Sequence, residues 1–216
     1  MRSPPHLCVT CSTGDDLVTG CVTGQDGHVD FAFVSGNPAL DLAATVGSRR
    51  DEPVDLLATP ADLERWVAAC EELPAAVTAD PATFDSALSL REAVYTLALD
   101  RVRGQPFAPD SLRVVNAMAA GPVPGVQLSD AGLHLSGDLR AALSHIARRG
   151  IAVLADPHAH LKECGRADCT RVYLDRSRGA RRTWCGMEAC GNRVKAAAYR
   201  ARRRAAAEGR TPERAP

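Results

Sequence analysis

Cys164-Gly165-Arg166-Ala167-Asp168-Cys169, followed after fifteen residues by Cys185-Gly186-Met187-Glu188-Ala189-Cys190, sets two cysteine pairs of identical spacing near one end of a 216-residue chain. Tetrahedral zinc takes four thiolates at about 2.3 Å, and two short pairs joined by a spacer are an economical way to supply them. Glycine beside a ligand, as at Gly165, Gly186 and Gly191, lets backbone amides approach sulfur without a Cβ in the way. Those amides, with Arg166, Arg181, Arg182 and Arg193 nearby, would offset the surplus charge of four thiolates on one divalent ion. A closed four-thiolate site has no open coordination position, so one zinc of structural rather than catalytic kind is expected. The competing reading is four unrelated thiols, and the matched spacing argues against it.

The spacer is expected to fold over the metal. Thr170–Leu174 is β-prone, Asp175–Gly179 reads as a turn, and Ala180–Trp184 returns as the second strand of a hairpin. Tyr173 and Trp184 would pack on it and supply the small core that such a module otherwise lacks. Replacing one ligand, Cys185, is expected to lose the zinc and melt this module while the rest of the chain stays folded.

Cys190 leads directly into a helix over Asn192–Glu208. Val194, Ala197, Ala198, Ala201 and Ala205 fall on one stripe, with Arg193, Arg200 and Arg204 on one flank and Lys195, Arg202 and Arg203 with Tyr199 on the other. A narrow apolar face would pack inward and a broad basic face would look out, which suits a helix laid along or into a DNA groove. The six basic residues are candidate phosphate contacts, and one or two of them candidate readers of base edges. The competing reading is a solvated basic helix.

Charge supports a polyanionic partner. The net charge is zero, yet residues 1–161 hold 11 Lys+Arg against 20 Asp+Glu, and residues 162–216 hold 15 against 6. A tail of +9 on a body of −9 has the asymmetry of a nucleic-acid binder. Only Lys162 and Lys195 are lysines, and arginine is the residue suited to bidentate phosphate and guanine contacts.

Toward the other end the pattern is helical. Asn37-Pro38 pairs a capping side chain with proline at the first helical position, opening a helix to Val46 with Leu40, Ala43 and Val46 inward and Gly47 as its stop. Thr59-Pro60-Ala61-Asp62 is a second start, followed by Leu63, Trp66, Val67 and Cys70 at amphipathic spacing. Asp80-Pro81 opens the longest helix, with Phe84, Leu88, Tyr95, Ala98 and Val102 on one face and Gly104 at its end. A fourth spans about Asp110–Ala120, with Leu112, Val115, Met118 and Ala119 inward. A fifth spans Asp138–Ala155, with Leu139, Leu143, Ile146, Ala147 and Leu154 inward. Between those two, Val126–Leu128 and Leu133–Leu135 alternate around Asp130-Ala131-Gly132 as a hairpin. Val29–Val34 reads as a short strand.

Composition is that of a globular chain, 45% hydrophobic and 24% charged, with aromatics at only 4% so that Leu, Val and Ala must fill the core. No apolar run has the length of a membrane span and Met1–Asp30 has no signal-type apolar core, which places the protein in the cytoplasm. Cys8, Cys11 and Cys21 form an irregular cluster, with His6 or His28 as a conceivable fourth ligand of a second metal site. His158-x-His160 is a candidate metal-ligating pair whose plainer reading is a linker near a helix boundary, and Cys70 reads as a buried small hydrophobe. Asp41, with Arg91 and Glu92, is a candidate effector pocket; a buried ion pair is the plainer reading of Arg91, which lies amid an apolar face. No Ser–His–Asp, Walker or dinucleotide-binding pattern appears, so no enzyme is expected.

Cys190-Gly191-Asn192-Arg193 resembles the signature of the CGNR zinc-finger family. Its flanks agree: Asp175-Arg176-Ser177-Arg178, Arg181-Arg182-Thr183-Trp184-Cys185-Gly186-Met187, and Lys195 through Tyr199-Arg200. Family members usually read Arg-Arg-Trp-Cys, and Thr183 is an insertion here. The preceding part is similar to the ABATE domain that commonly precedes this finger, through Ser35-Gly36-Asn37-Pro38-Ala39-Leu40-Asp41-Leu42, Thr45-Val46, Thr59-Pro60-Ala61-Asp62-Leu63 with Trp66, and Leu90-Arg91-Glu92-Ala93. Ala44 stands where the family often has Asn. Together the two likenesses cover about residues 31–204. They imply a stress-associated transcription regulator that binds DNA through its finger and is regulated through its body, with the four cysteines as the family's zinc ligands.

The expectation is therefore a mainly α protein. A leader spans 1–30, a helical body with a small β-hairpin 31–155, a four-cysteine zinc module of β-hairpin plus helix 160–206, and a disordered tail 207–216. Its partners would be double-stranded DNA, a small-molecule effector and a second copy, since one helix with about six basic contacts supplies little sequence specificity alone. The alternatives are an adaptor docking on an acidic partner of the transcription machinery, or an RNA-binding module. The shortage of aromatics for stacking weighs against the last of these.

Overall fold

Proline after a loop or capping residue starts four of the six helices in the computed structural model, which describes residues 31–130 and 132–208. In α1 (Pro38–Ala43) the Asn37 side chain accepts from Ala39 N–H. In α2 (Pro60–Ala69) Thr59 and Asp62 form a reciprocal capping box. In α3 (Pro81–Arg103) Asp80 caps the start, and Gly104 ends the helix at φ 65°, a left-handed conformation that costs glycine little. α4 (Pro109–Ala119) starts without a capping side chain, whereas α5 (Leu139–Ala155) is capped by Asp138. α6 (Asn192–Glu208) runs two residues into the expected tail.

The body packs around α3, which meets α1, α2, α4 and α5. Burial on several sides explains a departure from the expected apolar face. Ala87, Leu90, Ala93, Val94, Leu97 and Ala98 are the buried apolar positions, while Phe84, Leu88, Tyr95 and Val102 are half-buried at its margin. Trp66, Leu63 and Val67 from α2 and Leu139, Leu143, Ile146 and Ala147 from α5 complete the core as expected. Burying each Leu or Ile contributes about 1.5–3 kcal/mol before the cost of ordering it. In α4 only Val115 is fully buried; Leu112, Met118 and Ala119 are half-buried.

Two expectations near the start of the body are corrected. α1 ends at Ala43 rather than Val46, because Thr45 turns its hydroxyl back to Leu42 O at 2.8 Å. Val46–Gly47 (β1) then pairs antiparallel with Val54–Asp55 (β2), as suits β-branched residues. Residues 31–34 are irregular rather than a strand, since their polar groups serve side chains of the C-terminal module instead of a ladder. Val29, Asp30, the leader and its cysteines lie outside the described residues, as does the tail beyond Glu208.

The hairpin forms where expected, from β3 (Gly125–Ser129) and β4 (Gly132–Ser136). The hairpin of the zinc module does not. Val172–Leu174 (β6) pairs with Leu161–Glu163 (β5), upstream of the first cysteine, and Ala180–Trp184 is not a strand. The returning segment is gathered instead by the Asp175 carboxylate, which accepts from Ser177 N–H at 3.0 Å, Arg182 N–H at 2.9 Å and Lys162 Nζ at 2.9 Å. This carboxylate is fully covered, and its pKa lies far below the usual range. Burial alone would raise it, and hydrogen bonds from Ser177, Lys162 and Arg182 overcome that.

A depressed folded-state pKa means stabilisation that is present above the ordinary carboxylate range and lost as pH falls through the folded value. Asp175→Asn is accordingly expected to lower the melting temperature of zinc-loaded protein by several degrees at pH 7. Thermal denaturation followed by circular dichroism checks this. An unchanged midpoint would mean that Lys162 and the Arg182 amide find other partners.

Candidate zinc centre and basic helix

Each cysteine pair lies on its own turn. After Cys164, the chain reverses through Arg166 O, which accepts from Cys169 N–H at 3.0 Å. Gly165 N–H donates to Thr183 O at 2.9 Å, and a Cβ at Gly165 would lie 2.9 Å from Thr183 Cγ2 and 3.1 Å from its carbonyl oxygen. Glycine is thus required by the close approach of Thr183. The second pair sits on a π-helical turn, Met187–Gly191, in which Gly186 O accepts from both Cys190 and Gly191 N–H. That turn runs straight into α6.

The four sulfurs lie within 4.8 Å of one another, with Cys185–Cys190 at 3.4 Å and Cys169–Cys185 at 4.0 Å, and none is in a disulfide. A tetrahedron with bonds of about 2.3 Å has edges of about 3.8 Å, so the cage has the size zinc requires. Sulfur–sulfur hydrogen bonding within the cage pulls the Cys164 pKa well down and pushes Cys185 and Cys190 up. Four sulfurs this close cannot all carry charge without a cation among them. Backbone N–H groups of Arg166 and Arg171 favour the thiolates of Cys164 and Cys169. The residues fit one structural zinc, held by Cys164, Cys169, Cys185 and Cys190. Tyr173 and Trp184 pack against the cage as expected, and Arg182 lies 4.6 Å over the Tyr173 ring. No other group of metal-ligating side chains occurs among the described residues, and His158 and His160 do not join one.

The hairpin below the cage is built into the body. Val172 belongs to the main core, with Leu161 and Leu174 packed against it. Leu174 N–H donates to Ser35 O at 2.8 Å, and Arg182 Nη2 to Val34 O at 3.0 Å. Arg171 Nη1 reaches Ala32 O, Ser35 Oγ and Asp41 Oδ1 at 2.9, 3.1 and 3.3 Å. The body and the zinc module therefore share a seam of apolar and polar contacts. The sequence missed this seam; the one available signal was the apolar Leu161, Val172 and Leu174 flanking the first cysteine pair.

α6 departs from its expected packing. Arg193, Lys195, Arg200, Arg202, Arg203 and Arg204 are exposed, but so are Ala197, Ala198 and Ala201; of the expected stripe Val194 is half-buried, and the Ala205 side chain lies outside the described residues. The helix packs on the π-turn at its root and on no other element to comparable extent. Alanine offers too little apolar area to draw it onto the body, while its Ala/Arg composition sustains the helix.

The effector candidates divide between two networks. Arg91, 5% exposed, forms a bidentate pair with Asp55 at 2.7 and 2.9 Å and bonds Glu92 at 2.9 Å. Glu92 also takes Arg49, whose guanidinium lies 4.1 Å over the Tyr95 ring. Asp41 instead accepts from Ser35 N–H and Arg171; its pKa is raised because burial outweighs these bonds. Asp41 lines a cleft of about 370 Å³ with Phe33, Pro38, Cys70, Glu72 and Arg176, which neither Arg91 nor Glu92 reaches. Cys70 beside it is pushed up to about 11 by burial.

Comparison with known families agrees with this architecture. The ABATE model, described as "Putative stress-induced transcription regulator", matches residues 36–157, and the CGNR zinc-finger model matches residues 160–203. No curated protein matches the chain. No described helix is long and apolar enough to cross a membrane.

Proposed function

The chain belongs to the ABATE family and carries a CGNR zinc finger, and from this premise we propose that it is a zinc-dependent, DNA-binding transcription regulator of the cytoplasm rather than an enzyme. One observation carries the reading. α6 leaves the zinc cage at Cys190, and Arg193, Lys195, Arg200, Arg202, Arg203 and Arg204 are exposed on its two flanks. Zinc holds the root of the helix, and a rod about 10–12 Å wide fits the major groove of B-DNA. Arginines on both flanks can reach phosphates on either side of a groove. The body, residues 31–155, senses a small molecule or dimerises, and the 160–206 module binds. The Asp41 cleft supports sensing, because Asp41 also holds Arg171 of the zinc module. A ligand there would act on the seam between the two.

The test is selection of fragments from the host genome at about physiological salt with zinc-loaded protein. Enrichment of a few sites with a shared motif is expected. Weak, uniform recovery that disappears with added salt would refute sequence-specific binding and favour the adaptor or the RNA-binding reading.

A further inference from the structure

Antiparallel pairing sets Val126 opposite Leu135, Leu128 opposite Leu133, and Gln127 opposite His134 in the β3–β4 hairpin. Side chains alternate along a strand and directly paired residues share a face. One face is thus Val126, Leu128, Leu133 and Leu135, and the other Gln127, Ser129 and His134. The apolar face is open: Val126 is 68%, Leu128 90% and Leu133 67% exposed. Neither strand packs extensively on another described element. An isolated two-stranded hairpin is marginal in water, and a contiguous apolar face on a soluble protein marks a contact surface.

From this geometry we infer that the hairpin is the homodimer interface, with the apolar faces of two copies packed together about a two-fold axis. Charge selects the occupant. Residues 114–137 contain one charged side chain, Asp130 at the tip, whereas residues 1–161 as a whole carry a balance of −9. Two acidic bodies repel across most of their surface and approach with least penalty at this uncharged patch. A nucleic acid finds no cation on it. The face is also self-complementary, as a two-fold contact requires: each copy's Leu128 and Leu133 meet their counterparts. Two such faces form a small contact, at the low end of specific interfaces, so a weak, concentration-dependent dimer is expected. Pairing two chains gives two basic helices, which answers the limited specificity of one.

This deepens the dimerising arm of the proposed function, and its test contains no DNA, so the two readings fail separately. Zinc-loaded full-length protein is analysed by sedimentation velocity from low to several hundred micromolar. A concentration-dependent dimer is expected. Leu128→Asp with Leu133→Asp, at positions outside the core, should raise the dimer dissociation constant about a hundredfold and leave the circular dichroism spectrum unchanged. The milder Leu128→Ser should raise it less. A dimer indifferent to these variants overturns the inference, as does a wild-type chain that remains monomeric. A monomer that co-sediments with phosphatidylcholine vesicles would also overturn it and give the face to lipid.

Discussion

Cys185→Ser is expected to abolish zinc binding and to weaken the body as well as unfold the zinc module. Cys185 is 2% exposed, and its sulfur lies 3.4 Å from Cys190 and 4.0 Å from Cys169, so a serine leaves three ligands around an undersized fourth. Structural zinc of this kind supplies about 10–16 kcal/mol in small modules, more than a hairpin and two turns gain by packing. The sequence suggested that the body would be indifferent to this loss, and the seam shows why it should not be. Unfolding the module removes Val172 from the core, the Leu174–Ser35 hydrogen bond and the Arg171 contacts with Asp41. Burial and hydrogen bonding of that extent are worth about 2–4 kcal/mol to the body. Elemental analysis should show less than one zinc per chain. Calorimetry should show the body still melting cooperatively, several degrees lower. The two tryptophans separate the events, Trp66 reporting on the body and Trp184 on the cage. A full equivalent of zinc in the variant would refute the ligand assignment, and an unmoved body transition would refute coupling through the seam.

Arg200→Ala with Arg204→Ala should weaken DNA binding about 30-fold near physiological salt and reduce the slope of log affinity against log salt by about two units. The two lie on one flank of α6, a turn apart, with Arg193 in line. Each phosphate contact releases close to one counterion, so two lost contacts set both numbers. Both residues are exposed and alanine favours helix, so the fold and the zinc content should not change. Fluorescence anisotropy over a salt series measures the slope. A normal slope with weaker binding would place these arginines on base edges rather than phosphates, and no change in either would remove this flank from the interface.

The zinc cage and the helix starts were legible because their signals are local. Cysteine spacing, the Thr59–Asp62 capping box and the prolines at 38, 60 and 81 act within one or two turns of chain. The β3–β4 hairpin was legible for the same reason, since its paired strands are near neighbours in the chain. Errors came where the partner is distant in sequence. Val172–Leu174 pairs with Leu161–Glu163 across the first cysteine pair, while the nearer Ala180–Trp184 is taken up by Asp175. Asp41, Arg91 and Glu92 were grouped as one candidate pocket, and only three dimensions gave Arg91 to Asp55 and Glu92 and Asp41 to Ser35 and Arg171.

The ligand set of the zinc, the helical class of the body and the segregation of positive charge onto the last helix follow from the amino-acid order. These are properties of spacing, capping and composition. Three-dimensional packing set the rest: the zinc module shares the body's core, Ala197, Ala198 and Ala201 of α6 stay exposed, and the β3–β4 hairpin leaves an apolar face open. Those outcomes depend on how much apolar area each face can bury against a neighbour. The apolar residues of β5 and β6 find the body, the exposed alanines of α6 are too small to be drawn to it, and Leu128 and Leu133 of the hairpin stay exposed among the described residues.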